Sequence, residues 1–126
     1  MAVKGVHYTD AAAPHGVRLY AIGDVHGRLD LLLALLARID AEIAADRPAD
    51  WRVILLGDYV DRGPDSRGVL AELVARRAGD ARLIALAGNH DAGFATFLEK
   101  PDADSLFMQF GGIQTAQSYG VTLKRP

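Results

Sequence analysis

Apolar and polar residues alternate between two periods along this chain. Short apolar runs stand at Arg18–Ile22, Trp51–Gly57 and Ala81–Leu86, each closed by glycine or by a Gly-containing turn. Runs of this length, rich in Val, Ile and Leu, read as strands buried on both faces of a parallel sheet. Between them the period lengthens. Over Leu29–Ala45, Leu32, Leu35, Leu36, Ile39 and Ile43 fall on one helical face, opposite Arg38, Glu42 and Asp46. Arg47-Pro48 ends that helix. Asp65 or Ser66 can cap a second helix, which buries Val69, Leu70, Leu73 and Val74 and runs to about Ala78, with Gly79 as its stop. Arg76 and Arg77 near its end suit the helix dipole, as any solvated helix end does.

After the third strand, Phe94, Phe97 and Leu98 mark a short helix, Ser105–Gln109 a helical turn, and Ile113–Tyr119 a last short helix beyond Gly111-Gly112. The order is β-α-β-α-β-α, an α/β fold. Helical crossovers of this kind join parallel strands, nearly always with one hand. Residues 1–17 read as a loose polar tail and 18–126 as one domain. His7 and His15 lie in the tail and are left out of any site, and Trp51 reads as a packing anchor.

Composition narrows the chemistry. With 126 residues, half of them hydrophobic, the chain can bury a core. A net charge of -2 leaves no basic footprint for nucleic acid. No cysteine is present, so a metal must be held by Asp, His, Asn or Glu. The start of the chain lacks the apolar core of a signal peptide, and the longest apolar run, Leu31–Leu36, is too short to span a membrane; a cytoplasmic protein is expected.

The chemistry gathers where the strands end. Gly23-Asp24-Val25-His26-Gly27, Gly57-Asp58-Tyr59-Val60-Asp61-Arg62-Gly63 and Gly88-Asn89-His90-Asp91 each open on glycine followed by a side chain able to bind metal. Parallel strands deliver all three loops to one sheet edge, where open α/β sheets bind ligands. Asp24, His26, Asp58 and Asn89 can therefore converge, and hard oxygen donors with one imidazole suit Mn²⁺, iron or Zn²⁺. A Gly-Asp turn alone is usually only a turn; three such loops in this order are a far more specific signal.

Together these loops resemble the signature of the calcineurin-like metallophosphoesterases, and the Asp61-Arg62-Gly63 run is similar to the phosphoprotein phosphatase branch. The stretch Phe110–Thr115 with Ser118-Tyr119-Gly120 is similar to bacterial members of that branch, and the likeness covers about Arg18 to Val121. The resemblance implies a dinuclear centre of two divalent ions, with manganese expected and iron or zinc as alternatives. Asp24 and His26 would hold the first ion, Asp58 would bridge, and Asn89 would bind the second. His90 would be the general acid, oriented by Asp61, and Arg62 would clamp phosphoryl oxygens. The implied reaction is hydrolysis of phosphoserine or phosphothreonine monoesters by a metal-bound hydroxide. The physics of two-metal hydrolysis, guanidinium–phosphate recognition and carboxylate-fixed imidazoles agrees with those roles.

Two departures shape the expectation. The family completes its second metal site with two downstream histidines, and here no histidine follows His90. The chain therefore reads as the N-terminal half of the fold, with an exposed sheet edge that invites a homodimer. Ala87 stands where many protein phosphatases carry arginine. That admits a second substrate class, diadenosine tetraphosphate split symmetrically, and a third reading as an inactive fragment or binding module. The expected partner is a phosphoprotein or small phosphoester. Arg28 either reaches substrate or lies on the surface.

Overall fold

A computed structural model describes residues 5 and 7–124. Three parallel strands, β1 (Val17–Ile22), β2 (Asp50–Leu55) and β3 (Leu83–Ala85), form a sheet in the order β1-β2-β3. Between them run α1 (Leu29–Asp46) and α2 (Ser66–Gly79); α3 (Asn89–Glu99), α4 (Leu106–Gln109) and α5 (Gly112–Ser118) follow. The expected α/β alternation is the observed one. In the tail, the described residues carry one 3₁₀ turn, Tyr8–Asp10, capped by the His7 ring.

Among the described residues, only one face of the sheet is covered. Tyr20, Ile22, Val53, Leu55, Leu83 and Ala85 share it and pack with Leu32, Leu36 and Ile39 of α1 and Val69 and Leu73 of α2. Each such side chain taken from water contributes roughly 1.5–3 kcal/mol. The opposite face carries Leu19, Ala21, Ile54 and Ile84, and there Leu19 is 46% and Ile84 38% exposed. The reading of the strands as buried on both faces is thus corrected: among the described residues α1 and α2 join one core, and no element covers the other side. For the same reason Leu35 is exposed, because it flanks the Leu32–Leu36–Ile39 stripe that meets the sheet.

Several boundaries move for local reasons. Arg47 closes α1 in the left-handed region, its amide bonded to the Ile43 carbonyl, and Pro48 cannot continue the helix. Asp65 caps α2 by accepting from the Gly68 amide at 2.7 Å, worth about 1 kcal/mol. Gly79 does not supply the stop: it is the last helical residue, and the cap is extended Asp80, whose amide bonds the Arg76 carbonyl. Val74, expected in the core, is 71% exposed. The Gly88 loop is shorter than expected, because Asn89 and His90 already form the first turn of α3.

Candidate active site

The three strand-end loops are locked together by their backbones. The Asp58 carbonyl accepts from the amides of Val25 and His26, both at 2.9 Å, and the Tyr59 carbonyl accepts from Gly27 at 2.8 Å. The glycines permit this approach. A Cβ on Gly57, at φ +107, would collide with the Gly88 backbone, and one on Gly63 would collide with the His26 carbonyl. The loops also hold four non-glycine residues at positive φ: His26 (43°), Asp58 (59°), Asp61 (75°) and Arg62 (71°). Such strain persists only where the surroundings over-determine it, and it clusters at functional sites.

His26, Asp58 and His90 bring ligand atoms within 4.8 Å of one another. The His26 Nδ1 lies 2.7 Å from the Val60 carbonyl. A carbonyl only accepts, so Nδ1 carries the proton and Nε2 offers a lone pair. That lone pair faces the Asp24 carboxylate at 3.7 Å. Two electron-rich donors facing each other, with the ring held by its other nitrogen, fit a divalent cation. Asp58 Oδ1 accepts from the His90 amide at 3.0 Å, at the start of α3. Asn89 shares the lining of a cleft of about 160 Å³ with Asp61 and His90, under a rim of Leu106, Phe107 and Phe110.

His90 belongs to a second constellation. Its Nδ1 lies 2.8 Å from Asp61 Oδ2, and its Nε2 lies 3.4 Å from Arg62 Nη2. Asp61 is 1% exposed, whereas Arg62 is exposed. The buried carboxylate accepts from Nδ1, and the guanidinium faces the other nitrogen. His26 and His90 meet edge to face, with centroids 4.6 Å apart. The site residues read from sequence therefore come together at one sheet edge, and His90 sits within reach of the His26–Asp58 donors. Arg28 instead pairs with Asp30 through two bonds of 3.0 and 2.9 Å, a surface arrangement.

Sequence reasoning gave Asp91 no role, yet it stitches two loops. Its Oδ2 accepts from the amides of Asp58 at 2.6 Å and Gly88 at 2.9 Å, and its Oδ1 from Tyr59 at 2.9 Å. The available signal was an acidic residue three places after the helix cap, the position that reaches back to a cap amide. Tyr59 is buried, and its hydroxyl donates to the Leu86 carbonyl, with the Leu55 carbonyl at 3.3 Å. Burial, then the charge of Asp91, push its phenol up to about 12. Thr115 and Ser66, both fully buried against Asp61, were also missed.

A parallel sheet whose strand ends bring Asp, His and Arg to one edge offers a donor set that could hold a metal ion. A sequence model of the calcineurin-like phosphoesterases matches residues 17–121, and the chain belongs to that family. A bis(5'-nucleosyl)-tetraphosphatase, symmetrical, of Yersinia enterocolitica is 43% identical over 103 residues, covering 69% of this chain and 32% of that protein. Its namesake in Klebsiella pneumoniae is 40% identical over 103 residues (69% and 34%), and that of Delftia acidovorans 44% over 73 residues (58% and 23%). The chain thus spans about a third or less of the length of these curated relatives. They carry the name of the second substrate class read from sequence, so the relatives favour that class over the phosphoprotein phosphatase branch suggested by Asp61-Arg62-Gly63. No helix among the described residues is long and apolar enough to cross a membrane.

Proposed function

We propose that the chain carries part of a metal-dependent phosphoanhydride hydrolase that splits dinucleoside tetraphosphates symmetrically into two nucleoside diphosphates. The observation that carries the hydrolytic reading is the convergence of His26, Asp58 and His90 ligand atoms within 4.8 Å beside the Asp61–His90 pair. The names of the relatives support the substrate class. Asp24, His26 and Asp58 would hold one divalent ion, and Asp58 with Asn89 part of a second. Ions bound there supply Lewis acidity and a nucleophile at neutral pH.

The chain's own residues do the rest. Arg62 binds phosphoryl oxygens with a planar, permanently charged fork. Asp61 fixes the His90 ring through Nδ1–H, so that in the doubly protonated ring the Nε2 proton is the one available to the departing phosphate oxygen. The cleft beside His90, lined by Leu106, Phe107 and Phe110, would take the leaving nucleotide.

The test is product analysis with Mn²⁺ and diadenosine tetraphosphate. ADP as the sole nucleotide product supports the reading. Release of phosphate from phosphoserine peptides, with the dinucleotide untouched, replaces it with the protein phosphatase reading. No hydrolysis of either leaves this chain as a binding fragment.

A further inference from the structure

The Asp61–His90 pair is held from behind by a residue 54 positions away. Asp61 Oδ2 meets His90, while Asp61 Oδ1 accepts from Thr115 Oγ at 2.8 Å. The same Thr115 oxygen accepts from the Asp61 amide at 2.8 Å. One hydroxyl thus closes a ring through the backbone and side chain of Asp61, giving one bond and accepting one, as a hydroxyl can. Ser66 Oγ lies 3.2 Å from both the Asp61 amide and the Thr115 oxygen. Thr115 and Ser66 are 0% and Asp61 is 1% exposed. The next peptide is gripped by the same segment, since the Arg62 amide donates to the Gly111 carbonyl at 3.1 Å. So α5 and the glycine before it clamp a dipeptide at positive φ that carries both the orienting carboxylate and the guanidinium.

Resting on the function proposed above, we propose that Thr115 is a positioning residue for that reaction: its hydroxyl fixes the Asp61 carboxylate, which holds His90 by its Nδ1–H and so presents Nε2, the nitrogen that takes up and passes on the transferred proton, to the leaving group. Ser66 accepts from the Asp61 amide, but it is Thr115 that occupies the second carboxylate oxygen. Without that donor the carboxylate is free to rotate away, and His90 loses the partner that chooses its tautomer. The volume of the side chain is not what matters, so Thr115→Val disturbs the pair and Thr115→Ser preserves it.

The experiment is long-range ¹H–¹⁵N spectroscopy of the histidine rings in the ¹⁵N-labelled chain. Expected for the unaltered chain and Thr115→Ser is a His90 ring protonated on Nδ1, with a far-downfield proton. Expected for Thr115→Val is loss of that proton signal and a shift toward the Nε2-protonated tautomer, with the remaining amide spectrum retained. A folded Thr115→Val chain with an unchanged His90 ring overturns the proposal, as does a Thr115→Ser chain disturbed as much as the valine variant. If valine prevents folding, the unaltered chain still decides. The Thr115 hydroxyl proton must exchange slowly and cross-relax with the Asp61 amide; a hydroxyl directed elsewhere refutes the assignment.

With Mn²⁺ and monoester probes, Thr115→Val lowers kcat about tenfold or more on an alkyl phosphate, but only about threefold or less on p-nitrophenyl phosphate, with KM unchanged. The reason is that an alkoxide depends on a donated proton far more than a nitrophenolate does. Equal losses on both probes overturn the proposal. Absence of all hydrolysis by the unaltered chain counts against the proposed function and leaves Thr115 to be decided by the ring spectra.

Discussion

The two ends of the sheet are built on different principles. At the carboxyl ends, four non-glycine residues stand at positive φ, the loops bond to one another through backbone amides, and Asp61, Ser66 and Thr115 are buried polar groups. At the amino ends, Arg47 alone among the described non-glycine residues has positive φ, and it is a helix cap. Charges there pair in the open: Arg18 with Asp46 at 2.7 Å, and Asp50 with Arg52 at 2.7 Å and Arg82 at 3.4 Å. The Arg82 guanidinium lies 4.0 Å over the Trp51 ring, a contact that tolerates adjustment. One end holds its strain in the loops and buries polar groups; the other confines positive φ to one helix cap and keeps its charges in the open. Strain that no folding requirement explains is what a site looks like before any ligand is added.

The comparison is sharpest where backbone meets backbone. Gly57→Ala adds a Cβ at φ +107 that runs into the Gly88 backbone. Conformational strain and overpacking each cost about 1–3 kcal/mol, so a loss of about 4 kcal/mol is expected in chemical denaturation. A loss below about 1 kcal/mol would mean that the loops separate easily and that the tight junction is incidental. Arg62→Ala comes next. The side chain is exposed and fills no core, so the thermal melt stays in place while kcat/KM for the proposed hydrolysis falls about a hundredfold, the usual loss for one donor to developing charge. An unchanged kcat/KM would remove the phosphate-clamp role. Asp91→Asn keeps the shape but replaces one amide-accepting oxygen by an NH₂ that faces N–H groups. A cost of about 2 kcal/mol follows, with faster hydrogen exchange at the Asp58 and Tyr59 amides as its local signature.

These differences also decide what could be read from the sequence. The strand-end loops were legible because glycine, carboxylate and imidazole recur at three places that parallel topology brings to one edge. Their positions needed no tertiary detail. Asp91 was half legible, as an acid in a helix's first turn that reaches back to the Gly88 amide, but the other two amides it serves lie 32 and 33 residues away. Thr115 lay within a stretch that carried the resemblance, but its role was not legible. Its sequence neighbours make a short polar helix, and its role follows from a loop 54 residues upstream whose φ values no local pattern announces. The open sheet face was hidden for a different reason. An apolar run such as Trp51–Leu56 records a preference for burial, not whether a covering layer lies within the same stretch of chain. Likewise Leu35 fits the helical period, yet only the geometry of the stripe decides that Leu36 and not Leu35 meets the sheet.

The smallest effect belongs to the amino end and tests whether its ion pairs matter. The Asp50 carboxyl is held below its ordinary value, first by the Arg52 guanidinium and then by the Trp51 amide. A carboxyl depressed in the folded state binds fewer protons there than in the unfolded chain. Its stabilisation is therefore complete above the ordinary carboxylate range and fades as pH falls through it. Asp50→Asn removes that contribution, so variant and parent differ most near neutral pH and converge in acid. Exposed pairs of this kind are also screened by salt, and the difference shrinks as salt is added. Thermal melts at pH 7 and pH 3, with and without added salt, measure both trends. A variant that loses stability equally at both pH values would show that the charge of Asp50 is not what stabilises the amino end, since asparagine keeps an acceptor for the Trp51 amide.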